Sequence, residues 1–166
     1  MSRKQLRSIS LQIILILIIY FAVQAWQSRN ALTGPATNIQ ATTLQGEKLS
    51  VSQFQGKPLL IHFWATWCGI CRFEQDSIDA IAKDHTVITI ASHSGGITDV
   101  SNYVKENGIN SPVIVDEEGA WATLYGVKGF PTSFIVDADG DIYDVEVGYS
   151  SEYGLRARLW LASLLR

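Results

Sequence analysis

The chain has 166 residues, 47% of them hydrophobic and 17% charged, enough for one packed domain plus an appendage and unlike the composition of a disordered chain. Its formal charge of −3 is unevenly spread: residues 1–30 carry Arg3, Lys4, Arg7 and Arg29 without an acid, and the rest holds 9 basic against 16 acidic side chains. An acidic globular part argues against nucleic acid as a partner, because phosphate binding needs a basic surface.

Between Ile9 and Trp26 there is no charged residue. Eighteen helical residues cover ~27 Å, close to the hydrocarbon thickness of a bilayer. Tyr20 and Trp26 lie toward the end of this segment, where interfacial aromatics belong. Three basic side chains precede it and only Arg29 follows closely, so the positive-inside rule leaves residues 1–8 as a basic cytoplasmic N-terminus and puts everything after Trp26 outside. A cleaved signal peptide is the competing reading, since Val23-Gln24-Ala25 offers small residues and the strictly apolar core, Ile13 to Val23, is short. The uncleaved anchor over 9–26 is preferred, and both readings export the domain. Residues 27–37, polar and broken by Gly34-Pro35, read as a linker, with the folded domain at 38–166.

The domain opens with a hairpin, Ile39–Leu44 and Lys48–Val51 around Gln45-Gly46-Glu47, and Ser50 caps a short turn through Phe54. Leu59–Trp64 is a nearly continuous apolar run, the pattern of a strand buried on both faces. Gly69–Asp84 reads as a helix with Ile70, Phe73, Ser77, Ile78 and Ile81 on its stripe. A strand at Thr86–Ala91, a helix at Ile97–Asn107, a strand at Pro112–Val115 and a short helix at Gly119–Tyr125 follow. Thr132–Val136 and Asp141–Val147 pair across Asp139-Gly140, and Ser151–Leu165 is the last helix. This order predicts an α/β sandwich with a mixed sheet.

Both cysteines, Cys68 and Cys71, stand two residues apart where the apolar strand gives way to a helix. There Cys68 meets unpaired backbone N–H groups and the positive end of the helix dipole, which favour its thiolate and make it the attacking sulfur. Cys71, one turn inside, is placed to resolve a mixed disulfide. A structural zinc site needs four ligands, and His62, His85 and His93 lack the spacing to supply them. A purely structural staple closing so short a loop removes little unfolded-state entropy. Copper(I) on the two thiolates is the remaining alternative.

The stretch Phe63-Trp64-Ala65-Thr66-Trp67-Cys68-Gly69-Ile70-Cys71-Arg72 resembles the active site of the thioredoxin superfamily, and Gly129-Phe130-Pro131-Thr132 resembles its second signature, whose proline is cis and faces the reactive cysteine. The hairpin, the anchor and Glu74 narrow the resemblance to the TlpA/ResA/CcmG-like thiol–disulfide oxidoreductases of the bacterial cell envelope, with the suppressor-of-copper-sensitivity protein D group most similar. It covers roughly 38–165. It implies a thioredoxin-like fold with an N-terminal β-hairpin extension behind a single transmembrane helix, and no cofactor or metal. It also implies a domain facing the periplasm from the inner membrane, protein disulfide or dithiol substrates, and a membrane electron donor or oxidant as redox partner. Cys68 would be the nucleophile, Cys71 the resolving thiol and Pro131 the cis-proline. Trp67, Gly69 and Ile70, with Phe130 and Thr132, would meet the substrate, Phe130 offering its backbone to an extended strand. Anchored members are mostly reductants, so the expected direction is reduction or isomerisation.

Glu74 falls on the helix stripe three residues after Cys71, where a carboxylate is costly and a desolvated acid titrates high. The family's Cys-x-x-Cys-x-x-Glu pattern implies that it shuttles protons to the buried cysteine. The alternative is that it snorkels to the helix rim. His62 stands where thioredoxin itself has a buried aspartate that serves as base, so it is a second candidate proton acceptor or an ordinary hydrogen-bonded core histidine. Asp137-Ala138-Asp139-Gly140-Asp141 lacks the glycine and glutamate of a calcium loop and reads as a solvated hairpin tip, and Ser94-Gly95-Gly96 lacks the spacing of a phosphate loop.

Overall fold

A computed structural model describes residues 3–164; Met1 and Ser2, in the basic N-terminus, and Leu165 and Arg166, at the end of the expected last helix, lie outside the described residues. Helix α1 runs from Arg3 to Ser28, and its apolar side chains from Ile13 to Ile19 are exposed. By length and composition the stretch Arg7–Ser28 suffices to cross a membrane, a test that a signal sequence also passes.

Segment 27–37 is not a free linker. Gly34–Pro35 forms a two-residue strand, β1, and the Leu32 N–H donates to the Tyr125 carbonyl at 2.9 Å. Ala31, Leu32 and Ala36 pack on the core, so this polar-looking stretch is anchored by its few small apolar side chains.

The hairpin follows as β2 (Gln40–Thr42) and β3 (Lys48–Ser50), turning through Gly46 at φ 84°. The Ser50 N–H at the start of a 3-10 turn, Val51–Phe54, donates to Gln53 Oε1. Then come β4 (Leu59–Trp64), α2 (Gly69–Ile81), β5 (Thr86–Ser92), α3 (Ile97–Glu106), β6 (Val113–Asp116), α4 (Ala120–Leu124), β7 (Thr132–Val136), β8 (Asp141–Val147) and α5 (Glu152–Leu164). The six-stranded sheet has the order β1-β8-β7-β4-β5-β6; β4, β5 and β6 are parallel, while β7 and β8 run antiparallel to their neighbours.

All six residues of β4 are buried, as a central strand covered on both faces requires. Leu59, Ile61 and Phe63 join Phe134 and Tyr125 under α4 and the hairpin. On the opposite face Leu60 packs with Ile78 and Ile81 of α2 and Leu155 and Leu159 of α5, and Trp64 packs with Val100 of α3. The acidic tip is a closed turn: Asp137 Oδ1 accepts from the N–H groups of Asp139 and Asp141, each at 3.0 Å, while Gly140 takes φ 92°.

Candidate active site

Helix α2 begins where the chain leaves the C-terminal end of β4, and Cys68 is its N-cap in extended conformation (φ −84°, ψ 106°). Its sulfur accepts from the Cys71 N–H at 3.2 Å, one of the amides that a helix start leaves without an intrahelical partner. Cys68 and Cys71 are joined as a disulfide with their Cα atoms 5.3 Å apart. Both are buried, in a cluster with Trp64, Ala65, Ala91 and Val113.

The sequence periodicity placed Glu74, Ile78 and Ile81 on the buried face of α2 and erred at Ile70 and Phe73. Its buried stripe is Cys71, Glu74, Gln75, Ile78 and Ile81. Ile70 and Phe73, expected on that stripe, are exposed, Phe73 by 82%. Counting apolar residues rotated the first turns of the stripe because these two lie on the rim, while the disulfide's own side of the helix carries a glutamate and a glutamine. Trp67, 67% exposed, extends the rim over the cysteine loop.

Two segments brace this loop. The Phe130–Pro131 peptide is cis, and the Phe130 ring meets Trp67 edge-on at 5.7 Å between centroids. The Trp67 indole N–H donates to the His93 carbonyl at 2.9 Å, and Ser94 Oγ accepts from the Thr66 N–H at 3.0 Å. His93 and Ser94 were not picked out as site residues from the sequence; the loop 93–96, rejected as a phosphate cradle, is a support for the cysteines. Thr132, expected to meet substrate, turns its side chain inward, and its hydroxyl donates to the Gly129 carbonyl at 2.8 Å. Gly69 is exposed, with open space where a side chain would project.

Glu74 does not snorkel: it is fully buried. Its Oε1 accepts from the Ser150 N–H at 3.2 Å and its Oε2 makes no hydrogen bond within the protein. Burial, opposed by the Ser150 bond and reinforced by the charge of Glu146, pushes its pKa up to about 7. His62 is fully buried too, with Nδ1 2.9 Å from Ser133 Oγ and Nε2 without a partner. Burial pushes its pKa down to about 3, so it stands neutral. Among the described residues no group of three or more His, Cys, Asp and Glu side chains gathers in a metal-binding arrangement.

A disulfide on a helix N-cap, with a buried acid three residues further along the same buried stripe and its pKa pushed up to about 7, can exchange with an external thiol and manage the proton released or consumed. Known proteins agree with that chemistry. The Redoxin family model matches residues 30–158. A "Thioredoxin-like protein" of Haemophilus influenzae is 30% identical over 98% of either chain. The thiol-disulfide oxidoreductase ResA of Bacillus thuringiensis is 32% identical over 64% of either chain. Among solved structures, a thiol:disulfide interchange protein of the thioredoxin family from Chlorobium tepidum superposes with a TM-score of 0.65 at 30% identity, covering 80% of this chain and 97% of its own. The chain therefore belongs to the redoxin family, as a protein thiol–disulfide oxidoreductase of the ResA/CcmG-like kind with a thioredoxin-like fold.

Proposed function

We propose that the protein exchanges disulfides with exported proteins through Cys68, from a position outside the cytoplasmic membrane and tethered by residues 9–26. The observation that carries this reading is the placement of Cys68 Sγ at the α2 N-terminus, where the Cys71 N–H already points at it. In the reducing direction the Cys68 thiolate attacks a substrate disulfide and expels one substrate thiolate. Cys71 then attacks Cys68 Sγ, its proton passing to Glu74 Oε2, and the second substrate sulfur leaves with the substrate reduced and the Cys68–Cys71 disulfide formed. Reopening by a membrane-borne dithiol partner reverses the proton: the leaving Cys71 thiolate takes it back from Glu74. Residues three apart on one helix face are neighbours, which supports Glu74 in this role. His62, kept neutral and bonded to Ser133, suits a core role.

The exposed Trp67, Ile70 and Phe73 supply an apolar rim for an unfolded or extended substrate, with the backbone of Phe130 alongside. Direction remains with the family tendency toward reduction or isomerisation. The test is trapping in the native envelope. Cys71→Ser should accumulate mixed disulfides between Cys68 and exported proteins, and Cys68→Ser should accumulate none. Equal trapping by Cys68→Ser would remove the nucleophile assignment, and stoichiometric copper(I) binding by a reduced protein without exchange activity would replace the reading with metal handling.

A further inference from the structure

Register places four polar residues side by side across the middle of the sheet. Thr89 of β5 is opposite His62 of β4, His62 is opposite Ser133 of β7, and Ser133 is opposite Glu146 of β8. Residues directly opposite share a face. This face is the one under α2 and α5, since Leu60 and Trp64, two residues either side of His62, pack there. All four are buried. The row ends in a carboxylate that is thoroughly held: Glu146 accepts from Arg158 Nη2 at 2.6 Å, from Gln24 Nε2 at 2.7 Å and from the Tyr20 hydroxyl at 3.0 Å. A carboxyl group receiving three donors, one of them a guanidinium, is surrounded by partners matched to a negative charge. Glu74, on the helix above, receives only the Ser150 N–H, from the segment that continues β8. Two buried carboxyl groups are thus provisioned oppositely, one with a cation and neutral donors, the other with a single amide.

We propose that Glu146 is a positioning residue for proton transfer at the disulfide: a fixed buried anion that keeps the proton on Glu74, ready for the Cys71 sulfur. This deepens the proposed role of Glu74 and rests on it. The charged and titratable groups around Glu74 fit the assignment. His62 on β4 is neutral, Tyr20 on α1 donates to Glu146, and Arg158 on α5 is divided between Glu146 and Asp144, so two carboxylates against one guanidinium leave a net negative field of the sign that favours the acid, with Glu146 its buried member. Because Tyr20 and Gln24 belong to α1, the anchor helix and the proton chemistry share one residue.

The test is the pH profile of disulfide opening by dithiothreitol, normalised to its thiolate, in the full-length protein in detergent, together with the pH titration of the Glu74 carboxyl. In wild type the rate should fall on the alkaline side as Glu74 loses its proton. Glu146→Gln should move that limb toward acid by about one pH unit, and Glu146→Asp should restore it. If Glu146→Gln does not fold, Glu146→Ser removes the same negative charge while Arg158 keeps Asp144, and should move the limb the same way. A limb unmoved in these variants but abolished by Glu74→Gln overturns the proposal and leaves Glu74 in place. A limb that survives Glu74→Gln overturns the role of Glu74 and the proposal with it.

Discussion

Glu74 on α2 and His62 on β4 are both sealed from solvent, and each has one polar atom with no partner. Burial drives each toward its uncharged form, yet the outcomes differ in kind. The acid's pKa rises to about 7, where a proton can be taken and returned under working conditions. The imidazole's falls to about 3, outside any such range. The residue type with the more suitable ordinary pKa is therefore the less suitable catalyst here, because desolvation acts in opposite senses on an acid and a base. At this site the decisive property is which buried group can both take and return a proton near pH 7.

The comparison breaks most visibly at Glu74. Glu74→Gln should slow disulfide exchange near pH 7 by about 100-fold, measured with a dithiol substrate, because the general acid–base contribution is lost. The same change should stabilise the fold at alkaline pH. A carboxyl whose folded pKa of about 7 exceeds its ordinary 4.5 binds its proton more tightly when folded, so its contribution is complete below pH 4.5 and is lost as pH rises to 7. By pH 8 that loss is about 3 kcal/mol, and chemical denaturation should show Glu74→Gln recovering it.

His62→Gln sharpens the contrast from the other side. Exchange should stay within about twofold of wild type. Stability should change in the opposite pH sense: a histidine with folded pKa about 3 against an ordinary 6.5 costs stability progressively as pH falls below 6.5. Denaturation curves for His62→Gln should lose that acid slope, at the cost of about 1 kcal/mol from the altered Ser133 bond. Between pH 4.5 and 6.5 the two slopes oppose each other in wild type, so each variant should expose the other's. The smallest effect belongs to the rim. Phe73→Ser should raise KM for a protein substrate about fivefold and leave reaction with dithiothreitol unchanged, because a side chain 82% exposed contributes only to docking.

Much of the fold was legible because its signals are local. The β4 run, the cysteines at the strand-to-helix junction and the Asp139-Gly140 turn each specify their element from adjacent residues. The cysteine pair at its helix start was legible for the same reason. Strand β1 was missed because two residues leave no periodicity to read. The face of α2 was misjudged at Ile70 and Phe73 because exposed apolar side chains and an apolar core stripe look alike in a sequence, and these two are exposed. The row from Thr89 to Glu146 was invisible because its members lie on four strands and meet only through register. Arg158 of α5 and Tyr20 and Gln24 of α1 join it from two helices at opposite ends of the chain.

The most direct measurement is an NMR titration of the oxidised full-length protein, following the Glu74 carboxyl carbon and the His62 ring. The structure predicts a Glu74 midpoint near pH 7 and a His62 ring that stays neutral down to about pH 4. A Glu74 midpoint near its ordinary 4.5 with His62 titrating near 6.5 would contradict it and return the proton to the histidine.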